Sequence, residues 1–341
     1  MISKQIQPYF HPTTIVMLDD NQRFLENFSL QLDESLACLF YSSPMQCLQM
    51  IKHRSPRITL DQRCFSYYTR PSPGQADRVI RLDLTLIEQE ISNPERFRDI
   101  SVVVVDYDMP EMNGVQFCEQ LRGTRIKKIL LTGVADEKIA VRAFNEGIID
   151  QFMLKNDPHI TQRINSTIQD LQHRYFQEVS MMIQNTLALE PPDFIYDPAF
   201  IDYFFKLTAA HNIVEYYYVE DPHGFLLVGM HGHLFRLVIH NEEDLERSLF
   251  TLKRHKAPSR ISRRVAQGKL LPWLWATPDD YGDDEEFPWE EHVHEAVRVE
   301  GVQTWFCALV DSPPADIEYD SATSSYINYL ENLDEETLDK E

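Results

Sequence analysis

The sequence has little of what would tie it to a membrane or to an oxidising compartment. Five cysteines are scattered over 341 residues, at Cys38, Cys47, Cys64, Cys118 and Cys307, and no two form a C-x-x-C pair. That scatter argues against a disulfide framework and suits a reducing cytosol, with the thiols as small core residues. No run approaches the roughly 20 apolar residues that span a bilayer. Met1 to His11 is polar and mixed, so no signal peptide is expected and the expected location is cytoplasmic. Positive charge is also scarce: 32 Lys and Arg stand against 54 Asp and Glu, a formal net charge of -22. That balance excludes broad, nonspecific binding to nucleic acid or acidic membranes, while leaving room for a local basic patch.

A hydrophobic content of 43% supports folded cores, and the length suggests two domains. The stretch with the sharpest signal is Val102-Val103-Val104-Val105-Asp106, followed by Tyr107-Asp108-Met109-Pro110 and a turn at Asn113-Gly114. Four consecutive valines read as a strand buried on both faces of a parallel sheet. A carboxylate at its carboxyl end sits where open α/β sheets place their chemistry.

Strands and helices alternate around it. Thr14–Leu18 reads as a strand ending in Asp19-Asp20, Ala37–Tyr41 as a second, Lys128–Leu131 as a strand ending in Thr132, and Ile149–Leu154 as one ending in Lys155. Helices are expected after Asn21, with Phe24, Leu25, Phe28 and Leu32 as an apolar stripe, from Pro44, over 115–122 and over 135–145, the last stopping at the C-cap residue Gly147. This order predicts a doubly wound, five-stranded parallel sheet, and right-handed crossovers bring the polar strand ends to one edge. The segment from His53 to Asp99 does not fit the alternation; Arg70-Pro71-Ser72-Pro73-Gly74 reads as a loop and Leu82–Ile91 as a short helix.

At that edge Asp19, Asp20 and Asp106 would repel one another, and a hard divalent cation such as Mg²⁺ relieves this while keeping several waters. Lys155 and the Thr132 hydroxyl supply a cation and a donor on the other side. Asp106 is then placed as a nucleophile that forms an acyl phosphate. The five positions, in this order, resemble the receiver domain of two-component response regulators. The resemblance implies that Asp106 is the phosphoacceptor and that Asp19 and Asp20 hold Mg²⁺, with the main-chain carbonyl of Asp108 as a further ligand. It also implies that Thr132 and Phe152 form the switch pair, that Lys155 pairs with the phosphoryl oxygens, and that a sensor histidine kinase is the partner. Two departures stand out. Asn156 replaces the usual proline after the lysine, which puts the usual cis peptide in doubt. The stretch between Asp20 and Asp106 is longer than the family pattern, as if about 53–99 were inserted in a receiver spanning 1–157.

From Ile160 to Leu189 an apolar stripe runs Ile164, Ile168, Leu171, Tyr175, Val179, Met182, the spacing of a heptad seam with a stutter. This predicts a long linker helix over 158–190, either a dimerising coiled coil or a helix packed on its own chain's second domain, ended by Pro191-Pro192. Residues 193–330 read as an α+β domain with an antiparallel sheet: a helix capped by Asp197, a hairpin from Val214–Val219 and Phe225–Val228, a strand Leu234–Ile239, a helix from Glu242 and a late strand Gln303–Val310. Residues 331–341 read as a frayed acidic tail.

Four features of this half invite function. Lys253, Arg254, Lys256, Arg260, Arg263, Arg264 and Lys269 form a basic cluster, a site for nucleic acid or a phosphate-rich ligand, or a helix face paired with the protein's own acids. His231/His233 and His292/His294 are H-x-H pairs, read as turn and surface histidines in preference to metal ligands. Trp273, Trp275 and Trp289 read as core or lid packing. The acidic run from Asp279 to Glu291 reads as a solvated loop or a cover for the basic cluster.

No helix-turn-helix, G-G-D-E-F, E-A-L or histidine-kinase nucleotide box is present. The overall layout is similar to that of the Legionella quorum-sensing response regulators, which pair an N-terminal receiver with an output half lacking a recognisable DNA-binding motif. The expected function is therefore a phosphoacceptor signalling protein and not an enzyme, signalling through a dimerising helix. The alternatives are a transcription regulator that uses 253–269 on nucleic acid, or a nucleotide-binding or enzymatic output domain.

Overall fold

The computed structural model describes residues 5–54, 58–72, 75–133, 136–188, 193–276, 287–313 and 319–338. In chain order its strands are β1 (Tyr9–Phe10), β2 (Thr14–Leu18), β3 (Cys38–Tyr41), β4 (Phe65–Ser72), β5 (Gln75–Leu82), β6 (Ile100–Asp106), β7 (Lys127–Thr132), β8 (Gln151–Leu154), β9 (Ile213–Val219), β10 (Gly224–Gly229), β11 (Leu234–His240), β12 (Leu270–Pro272), β13 (Val293–Glu300) and β14 (Thr304–Asp311). They form a parallel sheet ordered β3-β2-β6-β7-β8, an antiparallel sheet ordered β1-β9-β10-β11-β14-β13-β12, and the hairpin β4-β5. The doubly wound five-stranded sheet and the separate antiparallel sheet are those the sequence predicts.

The chain forms two compact units. One takes residues 11–63, 93–181 and 326–341; the other takes 1–10, 64–92 and 182–325. These ranges interleave, whereas the sequence divides the chain in succession at 157 and 193.

In the parallel unit every residue of β2, β6 and β7 is buried. The side-chain period of two sends Val16, Leu18, Val103 and Val105 to one face, against Phe117, Leu121 and Ile126. It sends Ile15, Met17, Val102 and Val104 to the other, against Leu25, Phe28, Ile164, Ile168 and Leu171. Four valines in a row are apolar because both faces of β6 are covered.

The stripe on 160–189 therefore has a different use from a coiled-coil seam. Ile164, Ile168 and Leu171 lie in the unit's own core, and Tyr175 and Val179 are buried too. The helix Ile160–Val179 stops at Ser180 and a second helix runs from Met181 to Leu187, so the predicted continuous helix is two. Pro191 and Pro192 lie outside the described residues. Gln172 fixes the first helix to the sheet, its Nε2 donating to Thr13 Oγ1 at 3.0 Å. The expected acidic tail is helical through Leu338, in a helix that starts at Tyr326. Tyr326 is buried and its hydroxyl donates to the Ser35 carbonyl at 2.7 Å, and Leu333 is buried as well. Those apolar anchors, invisible among the acids, hold the segment.

Arg70, Pro71 and Ser72, expected in a loop, end β4, whose pairing with β5 runs from Phe65↔Leu82 to Ser72↔Gln75. Pro73 and Gly74 lie outside the described residues. A proline is tolerated here because each strand of a two-stranded ribbon is an edge. The helix expected over 82–91 is realised as Thr85–Gln89 and a 3₁₀ turn, Glu90–Ser92.

In the antiparallel unit Tyr216, Tyr217 and Tyr218 are all buried, so β9 too is covered on both faces. Phe204 meets Phe225 at 4.8 Å and Tyr216 at 5.1 Å between ring centroids. A further core joins Val238, Phe306 and Ala308 of the sheet to Leu252, Ile261 and Val265 of the helices Glu242–Arg254 and Ser259–Ala266. Asp197 caps the helix Pro198–Ala210, and its carboxylate also accepts from Val302 N at 2.7 Å and Trp305 Nε1 at 2.8 Å.

Candidate functional site at the edge of the parallel sheet

The strand order fixes the site. β2, β6, β7 and β8 are consecutive neighbours, with Leu18 beside Val105, Asp106 beside Leu131 and Thr132 beside Leu154. Asp19, Asp106, Thr132 and Lys155 thus come from the carboxyl ends of four adjacent parallel strands. Asp19 and Asp106 are buried and Asp20 is exposed, and carboxylate oxygens of the three lie within 4.8 Å of one another.

Lys155 binds this acidic group together. Its Nζ lies 2.6 Å from Asp19 Oδ2 and 2.9 Å from Asp106 Oδ1. It also lies 4.6 Å from the centroid of the Phe24 ring, a cation–π contact. Burial pushes the Asp19 carboxyl above the usual carboxylate range, against the pull of Lys155 and of the Asn21 N–H, which donates to Oδ1 at 2.9 Å. Burial also works against the Lys155 ammonium, but its hydrogen bonds to Asp19 and Asp106 outweigh this and its pKa is raised. The lysine is a fixed cation. It reaches both aspartates although the Lys155–Asn156 peptide is trans, Asp221-Pro222 being the one cis bond among the described residues.

The loop after β6 is tied down by its own sequence. Asn113 and Gln116 form a reciprocal capping box, with bonds of 2.9 and 3.1 Å. Gly114 is required by close approach: a Cβ there would lie 2.3 Å from the Asp106 carbonyl oxygen and 2.7 Å from Leu130 Cδ1. The Asp108 side chain is exposed. Thr132 is buried and its hydroxyl donates to the Gly133 carbonyl at 3.1 Å. Phe152 is half-buried, with its ring edge-on to Phe144 at 6.4 Å.

Asp19, Asp20, Asp106 and Lys155 come together, and Thr132 ends the strand between those of Asp106 and Lys155. The sequence pattern misses Phe24, whose stripe position marks it only as a packing residue, and the steric role of Gly114, which reads as an ordinary turn glycine. A set of hard oxygen donors with one exposed member fits a cation such as Mg²⁺ that retains part of its water shell.

Lys253, Arg254, Lys256, Arg260, Arg263, Arg264 and Lys269 are all exposed. Arg260 pairs with Glu290, and Arg264 with Glu295 at 2.6 Å, so the protein's own acids take part of the cluster. His231 and His233 are exposed as expected, and His233 Nε2 lies 2.6 Å from Asp311 Oδ1. His292 departs from the expected surface position. It is fully buried between Trp275, at 4.0 Å, and Phe287, at 4.5 Å, because these rings arrive from other segments. Burial lowers the pKa of both His292 and His294. Among the described residues the only acid, histidine or cysteine grouping with metal-ligand spacing is Asp19, Asp20 and Asp106.

Residues 88–165 match the response regulator receiver domain family, a span that takes in Asp106, Thr132 and Lys155. The solved structure of the Legionella pneumophila response regulator LqsR is 34% identical, covers 98% of this chain and 98% of its own, and superposes with a TM-score of 0.77. An uncharacterized protein from Neptuniibacter caesariensis is 19% identical over 50% of this chain and 93% of its own, with a TM-score of 0.34. A response regulator receiver domain protein from Clostridium thermocellum is 18% identical over 48% of this chain and 95% of its own, with a TM-score of 0.32. No curated protein matches the chain. A five-stranded parallel sheet whose edge carries two acids, a central aspartate, a hydroxyl and a lysine defines the receiver class. The chain belongs to the response-regulator family that includes LqsR.

Proposed function

We propose that the protein takes a phosphoryl group onto Asp106 from a sensor histidine kinase in a Mg²⁺-dependent step, and that this state of the chain is its signal. The observation that supports the reading is the place of Asp106. It is the central strand end, 2.9 Å from a fixed lysine and within 4.8 Å of two further acids.

Each residue has a task. A carboxylate oxygen of Asp106 attacks phosphorus while the bond to the kinase histidine nitrogen breaks, and an acyl phosphate forms. Asp19, Asp20, Asp106 and the Asp108 carbonyl would hold Mg²⁺, which neutralises charge on the transferring group. Lys155 gives up part of its hold on Asp19 and Asp106 to pair with the phosphoryl oxygens. The Thr132 hydroxyl leaves the Gly133 carbonyl to donate to the same group, and the half-buried Phe152 ring follows it inward. No turnover of a separate substrate is needed.

Ile164, Ile168 and Leu171 are committed to the core, so a homodimer through 160–189 uses the exposed side of that helix and not the apolar stripe. The pairing of Arg260 and Arg264 with acids works against nucleic-acid binding through 253–269. The family resemblance supports cytoplasmic signalling of the quorum-sensing type. No helix among the described residues is long and apolar enough to cross a membrane.

Beryllofluoride with Mg²⁺, a stable mimic of the phosphoryl group, tests the reading by thermal unfolding. A rise in Tm that needs both reagents and vanishes in Asp106→Asn is expected. No rise in the wild type, or an equal rise in the variant, contradicts it.

A further inference from the structure

The antiparallel unit contains a cavity of about 670 Å³ that the phosphoryl chemistry does not use. Its walls come from β10, β11, the helix Glu242–Arg254, the stretch Pro272–Trp275 and, from the segment before β6, Glu88 and Ile91. All of these belong to the same compact unit. A space of this size suits one small organic molecule, which such sites hold with an apolar lining and a few fixed polar groups.

The lining here is polar over a little more than half of its surface, with an apolar remainder. Leu226, Ile239, Trp273 and Trp275 form an apolar side, the two indoles 5.2 Å apart. Arg236 stands in the wall at the middle of β11, only 4% exposed. Its Nη2 donates to the Pro222 carbonyl. Its Nη1 is buried with no hydrogen-bond partner among the described residues. A buried guanidinium with an open donor is costly unless an acceptor completes it. Burial draws the Arg236 pKa down to about 10, with Glu88 and Asp221 acting the other way, so it remains a cation at neutral pH. Arg247, the other arginine of the lining, is already held by Glu243 and Asp244.

The missing acceptor has a defined charge. Glu88, Glu220, Asp221 and Asp244 also line the cavity. A phosphate ester carries about -1.5 to -2 at neutral pH and would meet four carboxylates, with Arg236 the one arginine among the described lining residues that carboxylates do not already pair. A single negative charge matches that one guanidinium with its open Nη1, and a planar carboxylate matches its fork.

We propose that this cavity binds a small monocarboxylate with an aromatic or aliphatic body, the carboxylate on Arg236 and the body against Trp273 and Trp275. The site belongs to a different compact unit from Asp106 and gives that unit a small-molecule input of its own.

The full-length protein is titrated with indole-3-acetate, phenylacetate and octanoate, with their amides, and with adenosine monophosphate, followed by calorimetry and thermal shift. At least one carboxylate binds at millimolar concentration and raises Tm, and its amide binds about tenfold more weakly. Arg236→Gln removes the preference for acid over amide. Thr251→Trp fills the cavity from a helix surface and blocks the acid while Arg236 stays in place, which covers the case in which Arg236→Gln does not fold. Binding by none of the three acids overturns the proposal. So does equal binding of acid and amide, tighter binding of the nucleotide than of every acid, or acid binding untouched by Thr251→Trp.

Discussion

At the edge of the parallel sheet Asp19, Asp106, Thr132 and Lys155 are neighbours because their strands are neighbours. In the antiparallel unit Arg236 sits in the middle of a strand, and it shares a cavity with Trp275, from beyond β12, and Glu88, from before β6. The first arrangement follows from a topological rule: parallel strands joined by right-handed crossovers present the same end to the same edge. The second has no such rule. Its residues meet through packing of segments distant in sequence. Both regions hold a cation among acids, yet the lysine is shared between two carboxylates while the arginine keeps an open donor. A lysine with partners in place is poised to exchange one anion for another; an arginine with a donor still open among the described residues is poised to receive.

The largest expected effect separates the two regions. Asp106→Asn abolishes the response to Mg²⁺ and beryllofluoride and leaves the carboxylate-induced thermal shift of the other unit unchanged. Loss of both in one variant would merge what the comparison keeps apart. Next, Ile168→Ala costs about 3 kcal/mol, because a side chain from the middle of the core is removed. Urea unfolding at several protein concentrations checks it. A midpoint that moves with concentration would return the stripe to a dimer seam. Gly114→Ala costs about 2 kcal/mol and slows phosphoryl uptake, because the new methyl meets the Asp106 carbonyl, a backbone atom with little room to yield. Denaturant midpoints and uptake rates measured on one preparation test the two together.

A further effect concerns pH. His11 is buried against Phe176 at 4.8 Å, and burial lowers its pKa from 6.5 to about 3. Between those values the unfolded chain binds the proton and the folded one does not. Stability is therefore fully present above the unfolded pKa and is lost as pH falls, by about 1.4 kcal/mol per pH unit. His11→Phe should flatten the dependence of the urea midpoint between neutrality and about pH 5. An unchanged slope would show that other groups set it.

The parallel sheet and its site were legible because each signal was local. Four valines announce a strand covered on both faces, and each following polar residue marks a strand end. The turn at Asn113-Gly114 is readable from those two residues alone. What escaped depends on which segment covers which. Ile164, Ile168 and Leu171 have a spacing that serves a coiled coil and a helix lying on a sheet equally well; only the sheet's second apolar face decides. His292 looks like a surface residue until Trp275 and Phe287 close over it. Tyr326 and Leu333 are sparse anchors in an acidic stretch, and the hairpin Phe65–Leu82 hides behind Pro71 and Pro73. That about 53–99 stands outside the alternation was readable, but not which unit it joins, since β1 and β4-β5 fall in a unit whose other strands lie far along the chain.

Phosphoryl transfer to Asp106 is the central claim, and radiolabelled acetyl phosphate tests it most directly. With Mg²⁺ the wild-type chain should take up an acid-stable, alkali-labile label that maps to the peptide containing Asp106. The label should be absent after chelation and in Asp106→Asn. Label that persists in Asp106→Asn, or that maps to a different peptide, would contradict the assignment.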